Sequence, residues 1–170
     1  FSHIDGGRGG SVKIIIDGQV AMLRQYLRGG FISRFLNDQY LWLGKHKTRP
    51  WREWSILQQA RTAGLPVPKP LGFCVSRTSF YYRATLMTNF FEDTETLAES
   101  LMRNTLPRES WVILGRLLKR FQVNGFRHAD LNANNILIDN QGQFFLIDFD
   151  QAQMMKVLGD WQWKPLYRLQ

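Results

Sequence analysis

The stretch HADLNANNILIDNQGQFFLIDFD, residues 128–150, constrains the fold more than any other part of the sequence. It holds two short apolar runs, NILID and QFFLID, on either side of turn-forming residues 140–142. Apolar runs of this length across an Asn-Gln-Gly turn predict a β-hairpin. Since the outer ends of a hairpin are neighbours in space, Asn135 at the start of the first strand and Asp148 at the end of the second are expected to face each other.

The polar side chains of this hairpin predict a site for phosphoryl transfer. Asn135 and Asp148 offer the hard oxygen ligands that suit a Mg²⁺ ion bound to phosphates. Asp130 precedes them and can orient an attacking hydroxyl. This order and spacing match the catalytic-loop and metal-binding signatures of the kinase fold. Asp130 is therefore predicted to be catalytic, Asn135 and Asp148 are predicted to bind the metal, and the cofactors are predicted to be ATP and Mg²⁺.

Other polar residues of the stretch have simpler expected roles. His128 is predicted to brace the loop rather than to take part in chemistry. Asp139 and Asn140 are predicted to serve the turn, since both residue types are common there. Asp150 is either a second charged participant or a cap, and the sequence leaves both readings open.

A glycine-rich segment, GGRGG, precedes a second predicted hairpin near the start of the chain. The runs SVKIII and QVAMLRQY lie on either side of Asp17 and Gly18, a pair typical of two-residue hairpin turns. Gly7, Gly9 and Gly10 are predicted cofactor-binding residues, because glycines let backbone N–H groups approach phosphates. The alternative is a flexible terminal segment.

A helix is predicted over Arg49–Thr62, with Pro50 near its start and Gly64 beyond its end. Helical periodicity places Glu53 among the apolar side chains, so its carboxylate is expected to need a cationic partner. Arg24 is the predicted partner and Arg28 the alternative. Such a pair would serve the role of the strand lysine and helix glutamate that hold ATP phosphates in kinases. A surface helix with an exposed Glu53 is the other reading.

The element order predicts an α+β class and a two-lobed protein-kinase-like fold. Residues 1–90 form the predicted β-rich N-lobe, and residues 91–170 a minimal, mainly helical C-lobe with predicted helices at 97–103 and 109–123. Residues 80–90 read as a strand, whose end would connect the lobes. Met87 and Asn89 are predicted to lie against the adenine, although a plain strand end is the alternative.

Composition adds limits on compartment and partners. The formal charge of +8 suits an anionic partner, but a solvated basic surface would look the same. The lone Cys74 is expected to be a buried small hydrophobe, and with no signal-peptide pattern a reducing compartment is expected. No apolar run approaches the ~18 residues that cross a bilayer. The amphipathic run WVILGRLLKRF is expected to pack in the core rather than on a membrane.

Several phrases, LRQYLRGGF, REWSILQQARTAGLPVPKPLGF, HADLNANNILID and LIDFD, resemble the Kdo kinases over nearly the whole chain. These enzymes phosphorylate 3-deoxy-D-manno-octulosonic acid (Kdo) in the lipopolysaccharide inner core. The resemblance implies ATP-dependent transfer to the 4-hydroxyl of Kdo in Kdo-lipid A, with Asp130 as the catalytic aspartate. It also implies a peripheral enzyme on the cytoplasmic face of the Gram-negative inner membrane, in contact with the inner-leaflet surface.

The chain departs from that family in two respects. Gln151 follows the DFD motif where the family usually has arginine, so any role of that arginine is absent or moved. Both ends are expected to be truncated, because the sequence begins just before the glycine segment and stops where relatives continue.

Other functions remain open on the sequence alone. A small-molecule phosphotransferase of the aminoglycoside or choline kinase type shares the His-x-Asp, Asn and Asp arrangement, but the positive surplus argues against a cationic substrate. A pseudokinase scaffold would be expected to lack one of the three key residues. A protein substrate is not expected, since few residues follow Asp150 to build a docking subdomain. Nucleic acid is not expected either, because no motif for it is present.

Overall fold

The computed structural model describes residues 3–6, 11–26 and 39–156. The chain divides into two compact units, one formed by Phe1–Ser55 and Lys69–Phe90 and the other by Ile56–Pro68 and Phe91–Gln170. The first unit ends at Phe90. Residues 56–68, which the sequence assigned to the first lobe, group with the second unit.

Antiparallel strands dominate the first unit. In the described residues, six strands form one sheet in the order β1-β2-β3-β6-β4, and β5 also pairs with β6. Asp17 and Gly18 both have positive φ, which is the backbone of the predicted two-residue turn between β2 and β3. The strands are β1 His3–Gly6, β2 Ser11–Ile16, β3 Gln19–Gln25, β4 Tyr40–Leu41, β5 Pro70–Thr78 and β6 Tyr81–Asn89.

Helix α1 spans Arg49–Thr62, the range that the sequence predicts, and follows a short 3₁₀ turn at Lys45–Lys47. Gly64 ends it in the left-handed region with φ 68°, which glycine adopts without a steric penalty. The helix begins in the first unit and continues into the second from Ile56. Its buried side chains include Leu57 and Ala60, which are 1% and 0% exposed.

The second unit combines two helices with short strands. The structure contains the hairpin predicted around residues 140–142, and β9 pairs on its other side with β7. Strands β8 and β11 pair separately. The elements are β7 Thr94–Thr96, α2 Leu97–Met102, α3 Arg108–Val123, β8 Phe126–Arg127, a 3₁₀ turn Ala133–Asn135, β9 Ile136–Asp139, β10 Phe144–Leu146 and β11 Gln153–Met154.

One face of α3 lies in the core of the second unit, as the sequence favoured, but Trp111, Val112 and Ile113 near its start are exposed. Leu114, Leu117 and Leu118 are buried, and Phe121 stacks on Phe149 with ring centroids 6.0 Å apart. None of the helices in the described residues is both long and apolar enough to span a bilayer.

The structure confirms the α+β class and corrects one residue. Cys74 is exposed on β5, although it was expected to be buried. The error arose because cysteine is usually a buried residue type, whereas this one lies on the solvent side of a half-covered strand. Among the described strands, the ones that had no sequence prediction are β1, β4, β5, β7, β8 and β11.

Candidate active site

The hairpin β9-β10 fixes the position of Asn135 beside Asp148. Its register pairs Ile136 with Leu146, and the next residue, Ile147, donates its N–H to the Asn135 carbonyl at 3.0 Å. Asp148 follows directly. The backbones of the two predicted metal ligands are therefore adjacent at the open end of the hairpin.

At the closed end of the same hairpin, Asp139 has the structural role that the sequence predicts. Its Oδ1 accepts the backbone N–H groups of Gln141 and Gln143 at 2.9 and 2.8 Å. This carboxylate holds the turn together.

Side-chain amides fix the backbone of the loop that carries Asp130. The Asp130 carbonyl accepts Nδ2 of Asn132 at 3.0 Å and Nδ2 of Asn135 at 2.8 Å. Because Nδ2 of Asn135 donates there, Oδ1 is the atom of that amide suited to a cation. One asparagine thus joins the predicted catalytic loop to the predicted metal site.

His128 lies beneath this loop and braces it. The ring is 5% exposed, packs edge-on against Phe149 at 4.9 Å, and donates from Nε2 to the Ile147 carbonyl at 2.8 Å. Burial lowers the pKa of His128, and the hydrogen bond to Ile147 and the negative charges of Asp148 and Asp130 partly oppose this. Both carboxylates therefore lie close enough to act on one imidazole.

Asp148 has an unusual backbone conformation. Its φ is 62°, in the left-handed region, which costs an ordinary L-residue about 1–2 kcal/mol. The side chain is exposed, while the next residue, Phe149, is 1% exposed. This conformation directs the Asp148 side chain towards solvent and the Phe149 ring into the core. Residues with strained backbones cluster at functional sites.

The donor set fits a magnesium nucleotide. Asp130 and Asp148 are exposed and Asn135 is half-buried, so their oxygens are accessible. Within residues 3–6, 11–26 and 39–156, no three His, Cys, Asp or Glu side chains are grouped to hold a metal ion. Mg²⁺ needs fewer protein ligands, because it keeps several waters and binds phosphate oxygens.

A second polar group lies in the first unit around Glu53 of α1. Glu53 is 3% exposed, forms an ion pair with Arg24, and accepts a hydrogen bond from the Tyr26 hydroxyl. Glu53 is therefore buried and paired, and the alternative of an exposed Glu53 on a surface helix is wrong. Arg28, the alternative partner, lies outside the described residues.

Sequence reasoning missed Tyr26. Burial, and then the neighbouring Glu53 carboxylate, raises the pKa of Tyr26 above its ordinary value, so its hydroxyl stays protonated and donates. The guanidinium groups of Arg24 and Arg49 lie 5.1 and 5.2 Å from the centroid of its ring. The sequence contains little indication of this role, since an aromatic residue at a strand end usually indicates only core packing.

The remaining predicted residues occupy the end of β6 or lie outside the described part. Met87 is half-buried in register with Leu23 of β3. Asn89 exchanges hydrogen bonds with Lys69, through both its backbone N–H and its side-chain oxygen. Their contact with a cofactor stays a prediction, as does any chemistry of Asp150. The residues outside the described ranges are Gly7, Gly9 and Gly10.

Comparisons with known proteins give separate evidence on the family of this chain. Residues 6–170 match the model of the lipopolysaccharide kinase (Kdo/WaaP) family. The chain is 39% identical to the 3-deoxy-D-manno-octulosonic acid kinases of Xylella fastidiosa (strain 9a5c) and Xanthomonas campestris pv. campestris (strain B100), over 97% of this chain. It spans 66% of the length of each.

A solved structure supports the fold. The Cydia pomonella granulovirus kinase PK-1 superposes with a TM-score of 0.59 at 14% identity, covering 86% of this chain and 49% of that one. At this identity the likeness concerns the fold alone, and the predicted protein-kinase-like fold is confirmed.

Proposed function

Because this chain belongs to the lipopolysaccharide kinase (Kdo/WaaP) family, we propose that it transfers the γ-phosphate of ATP to the 4-hydroxyl of Kdo in Kdo-lipid A. The observation that carries the proposal is the hydrogen-bonded junction at the open end of β9-β10. There Asn135 is bonded to the Asp130 carbonyl by its side chain and to Ile147, the neighbour of Asp148, by its backbone.

Asp130 is the proposed residue that orients the acceptor. Its carboxylate accepts a hydrogen bond from the sugar hydroxyl and takes the proton as the phosphoryl group is transferred. The side-chain amides of Asn132 and Asn135 donate to its backbone carbonyl and hold the loop in place. The carboxylate is therefore already positioned when the hydroxyl binds.

Asn135 and Asp148 are the proposed ligands of the nucleotide-bound Mg²⁺. The bound ion would supply charge neutralisation on the phosphate oxygens. His128 supports both by remaining neutral and donating to the Ile147 carbonyl, so the residue before Asp148 is held from both its N–H and its carbonyl.

Arg24 is the proposed contact for the ATP phosphates, in the position of the usual lysine. Glu53 forms an ion pair with it, and the Tyr26 hydroxyl donates to the same carboxylate. Arginine differs from lysine in presenting a planar fork of donors, so it can bind two phosphate oxygens at once. The glycine segment, Met87 and Asn89 complete the proposed nucleotide contacts.

The acceptor is proposed to be anionic and bound to a membrane. A net charge of +8 attracts the carboxylate of Kdo and the phosphates of lipid A, and repels a cationic aminoglycoside. The enzyme would then act peripherally at the cytoplasmic face of the inner membrane, where its acceptor lies.

The test is transfer of γ-³²P from ATP in the presence of Mg²⁺, with Kdo-lipid A, lipid A lacking Kdo, kanamycin and choline as acceptors. Label is expected on Kdo-lipid A alone, and ³¹P NMR of the product is expected to place the phosphate at the 4-position. Label on kanamycin or choline would favour the small-molecule phosphotransferase. No transfer to any acceptor, with Mg-ATP bound, would favour the scaffold.

Two matched variants assign the aspartates. Asp130→Asn is expected to lower turnover by about a hundred- to ten-thousandfold while Mg-ATP binding, measured by calorimetry, persists. Asp139→Asn makes the same change of charge at the closed end of the following hairpin and keeps an oxygen for Gln141 and Gln143, so turnover is expected to stay at the wild-type level. If the Asp130→Asn protein had wild-type turnover, Asp130 would not be the residue that orients the acceptor.

A further inference from the structure

The first unit displays a cluster of large apolar side chains at one edge of its sheet. Apolar residues scattered singly on a surface are ordinary, but a contiguous set points to an interaction. We call this cluster the edge patch, and its members with their exposed fractions are Leu41 (52%), Leu43 (61%), Phe80 (73%) and Tyr81 (37%).

Backbone pairing brings these residues together from two distant parts of the chain. Leu41 on β4 lies opposite Tyr81 on β6, so the two side chains share one face of the sheet. Trp42 then donates its N–H to the Phe80 carbonyl at 2.7 Å. Residues 41–43 and 80–81 therefore lie side by side at one end of the sheet, where their side chains project from both of its faces.

The patch rests on a rigid aromatic base. Tyr82 is 4% exposed, and its ring lies 5.5 Å from that of Tyr40 and 6.1 Å from that of Trp42. Its hydroxyl accepts the Arg49 N–H at 3.1 Å. Since Tyr40 and Trp42 pack against Tyr82, the backbone that carries Leu41 and Leu43 is held in place, which lowers the entropy cost of docking.

The two described segments that carry the patch have charge of one sign. Residues 39–52 and 69–90, which contain the patch, hold neither aspartate nor glutamate. One of their cations borders the patch directly: the Arg77 guanidinium lies 5.1 Å from the Trp42 ring centroid, and its Nε donates to the Ser79 carbonyl at 2.9 Å. The exposed cations of these segments are Lys45, Lys47, Arg52, Lys69, Arg77 and Arg83.

We propose that the edge patch docks the protein on an anionic phospholipid bilayer, with Phe80 and Leu43 entering the boundary between head groups and acyl chains. Exposed aromatic and aliphatic side chains within a field of lysine and arginine are the features that bind such an interface. A surface that binds a protein partner usually carries both positive and negative charges, because the partner's surface carries both. Both segments lack acidic residues, which favours anionic lipid as the partner. This docking rests on the proposed function, because the edge patch would meet the membrane that holds the acceptor.

Vesicle flotation without ATP or acceptor tests the docking independently of catalysis. Vesicles of phosphatidylethanolamine with one quarter phosphatidylglycerol are expected to bind the wild-type protein, and pure phosphatidylcholine vesicles to bind it at least about tenfold less. Leu43→Ser with Phe80→Ser is expected to lower binding to the anionic vesicles at least about tenfold. Lys45→Gln with Lys47→Gln is expected to lower it roughly tenfold.

Leu71→Ser is the matched control. Leu71 is another exposed apolar residue of the first unit, 41% exposed, near the start of β5. The strand from Leu71 to Thr78 separates it from the patch by about 23 Å at the usual rise per residue. Its variant is expected to bind vesicles like the wild type, and thermal melts of all variants verify that they fold.

A fluorescent label measures insertion directly. In a Cys74→Ser background, an NBD group on Phe80→Cys is expected to brighten and shift to the blue on anionic vesicles, whereas the same group on Leu71→Cys is expected to stay unchanged.

The proposal is overturned if the wild-type protein fails to float with anionic vesicles, if the Leu43→Ser/Phe80→Ser protein floats equally well, or if the label at position 80 stays in water. It is also overturned if sedimentation shows that the patch variants abolish a dimer rather than lipid binding. If the protein does not dock but still phosphorylates a soluble, deacylated Kdo-lipid A, the edge-patch proposal is wrong and the kinase proposal is supported. If the protein docks but phosphorylates no acceptor, the kinase proposal is wrong and docking by the edge patch is supported.

Discussion

Asp148 shows how a single residue can combine an unfavourable backbone with a proposed functional side chain. Asp148→Gly is expected to keep or raise the free energy of unfolding, because glycine adopts a φ of 62° without strain, while turnover falls at least about a hundredfold with the loss of the carboxylate. Asp148→Ala is expected to be less stable than Asp148→Gly by about 1–2 kcal/mol and equally inactive. Urea unfolding and the radiolabel assay separate the two effects, and an active glycine variant would remove Asp148 from the metal site.

His128 gives the fold a predictable response to acid. Burial lowers its pKa below the ordinary 6.5, so the unfolded chain binds a proton at a pH where the folded chain does not. The free energy of unfolding is therefore expected to decrease as pH falls below about 6.5, at up to about 1.4 kcal/mol per pH unit, until the folded imidazole also protonates. Urea titrations between pH 7 and pH 5 measure this slope.

His128→Gln is expected to remove that part of the acid dependence, since glutamine can still donate to the Ile147 carbonyl but does not titrate. An unchanged slope in His128→Gln would show that another group drives the acid response.

At the level of single residues, the sequence predicted which polar residues lie together better than it predicted burial. Asn135 and Asp148 could be placed together because the termini of a hairpin meet whatever the rest of the fold does. Tyr26 could not be found, because its bond to Glu53 depends on a distant helix packing against β3. Cys74 was misplaced for the same reason: its exposure depends on which face of the sheet is covered.

Among the elements, α1 carries a buried carboxylate that depends on polar partners from outside the helix. Glu53→Ala would leave the partly buried Arg24 without its carboxylate and is expected to cost about 3–5 kcal/mol of unfolding free energy. Tyr26→Phe removes one donor and is expected to cost about 1–3 kcal/mol. Because both act on the same carboxylate, the double variant is expected to lose less than the sum, and additive losses in urea unfolding would contradict the shared network.

The elements themselves were predictable where their signals are local. Pro50 and Gly64 bound α1 correctly, and Asp17-Gly18 identified the first hairpin, because capping and turn chemistry act within a few residues. Strand β4 was missed because it has two residues, too few for any periodicity, and exists only through its pairing with residues 81–82 of β6. Pairing over such a separation leaves no pattern in a single sequence.

For the whole molecule, the proposed chemistry divides between the two units. The first contains the Arg24–Glu53 pair and the edge patch, and the second contains Asp130, Asn135 and Asp148. The signature of the second set lies within 128–150, so the fold could be expected from that stretch alone. The edge patch could not, because neither of its two segments is remarkable until the sheet joins them.

The positive charge of the whole chain makes a further prediction about acceptor choice. At about 0.1 M salt, where charges interact over about 10 Å, a soluble deacylated Kdo-lipid A that keeps its phosphates is expected to have about tenfold higher kcat/KM than the same acceptor without them. At about 1 M salt, where the range falls to about 3 Å, the ratio is expected to approach one, because the +8 charge then no longer attracts the phosphates from a distance. Steady-state kinetics on the two acceptors at both salt concentrations provide the measurement. A ratio that salt does not change would mean that direct contacts recognise the phosphates, and a ratio of one throughout would mean that the acceptor is selected by its sugar alone.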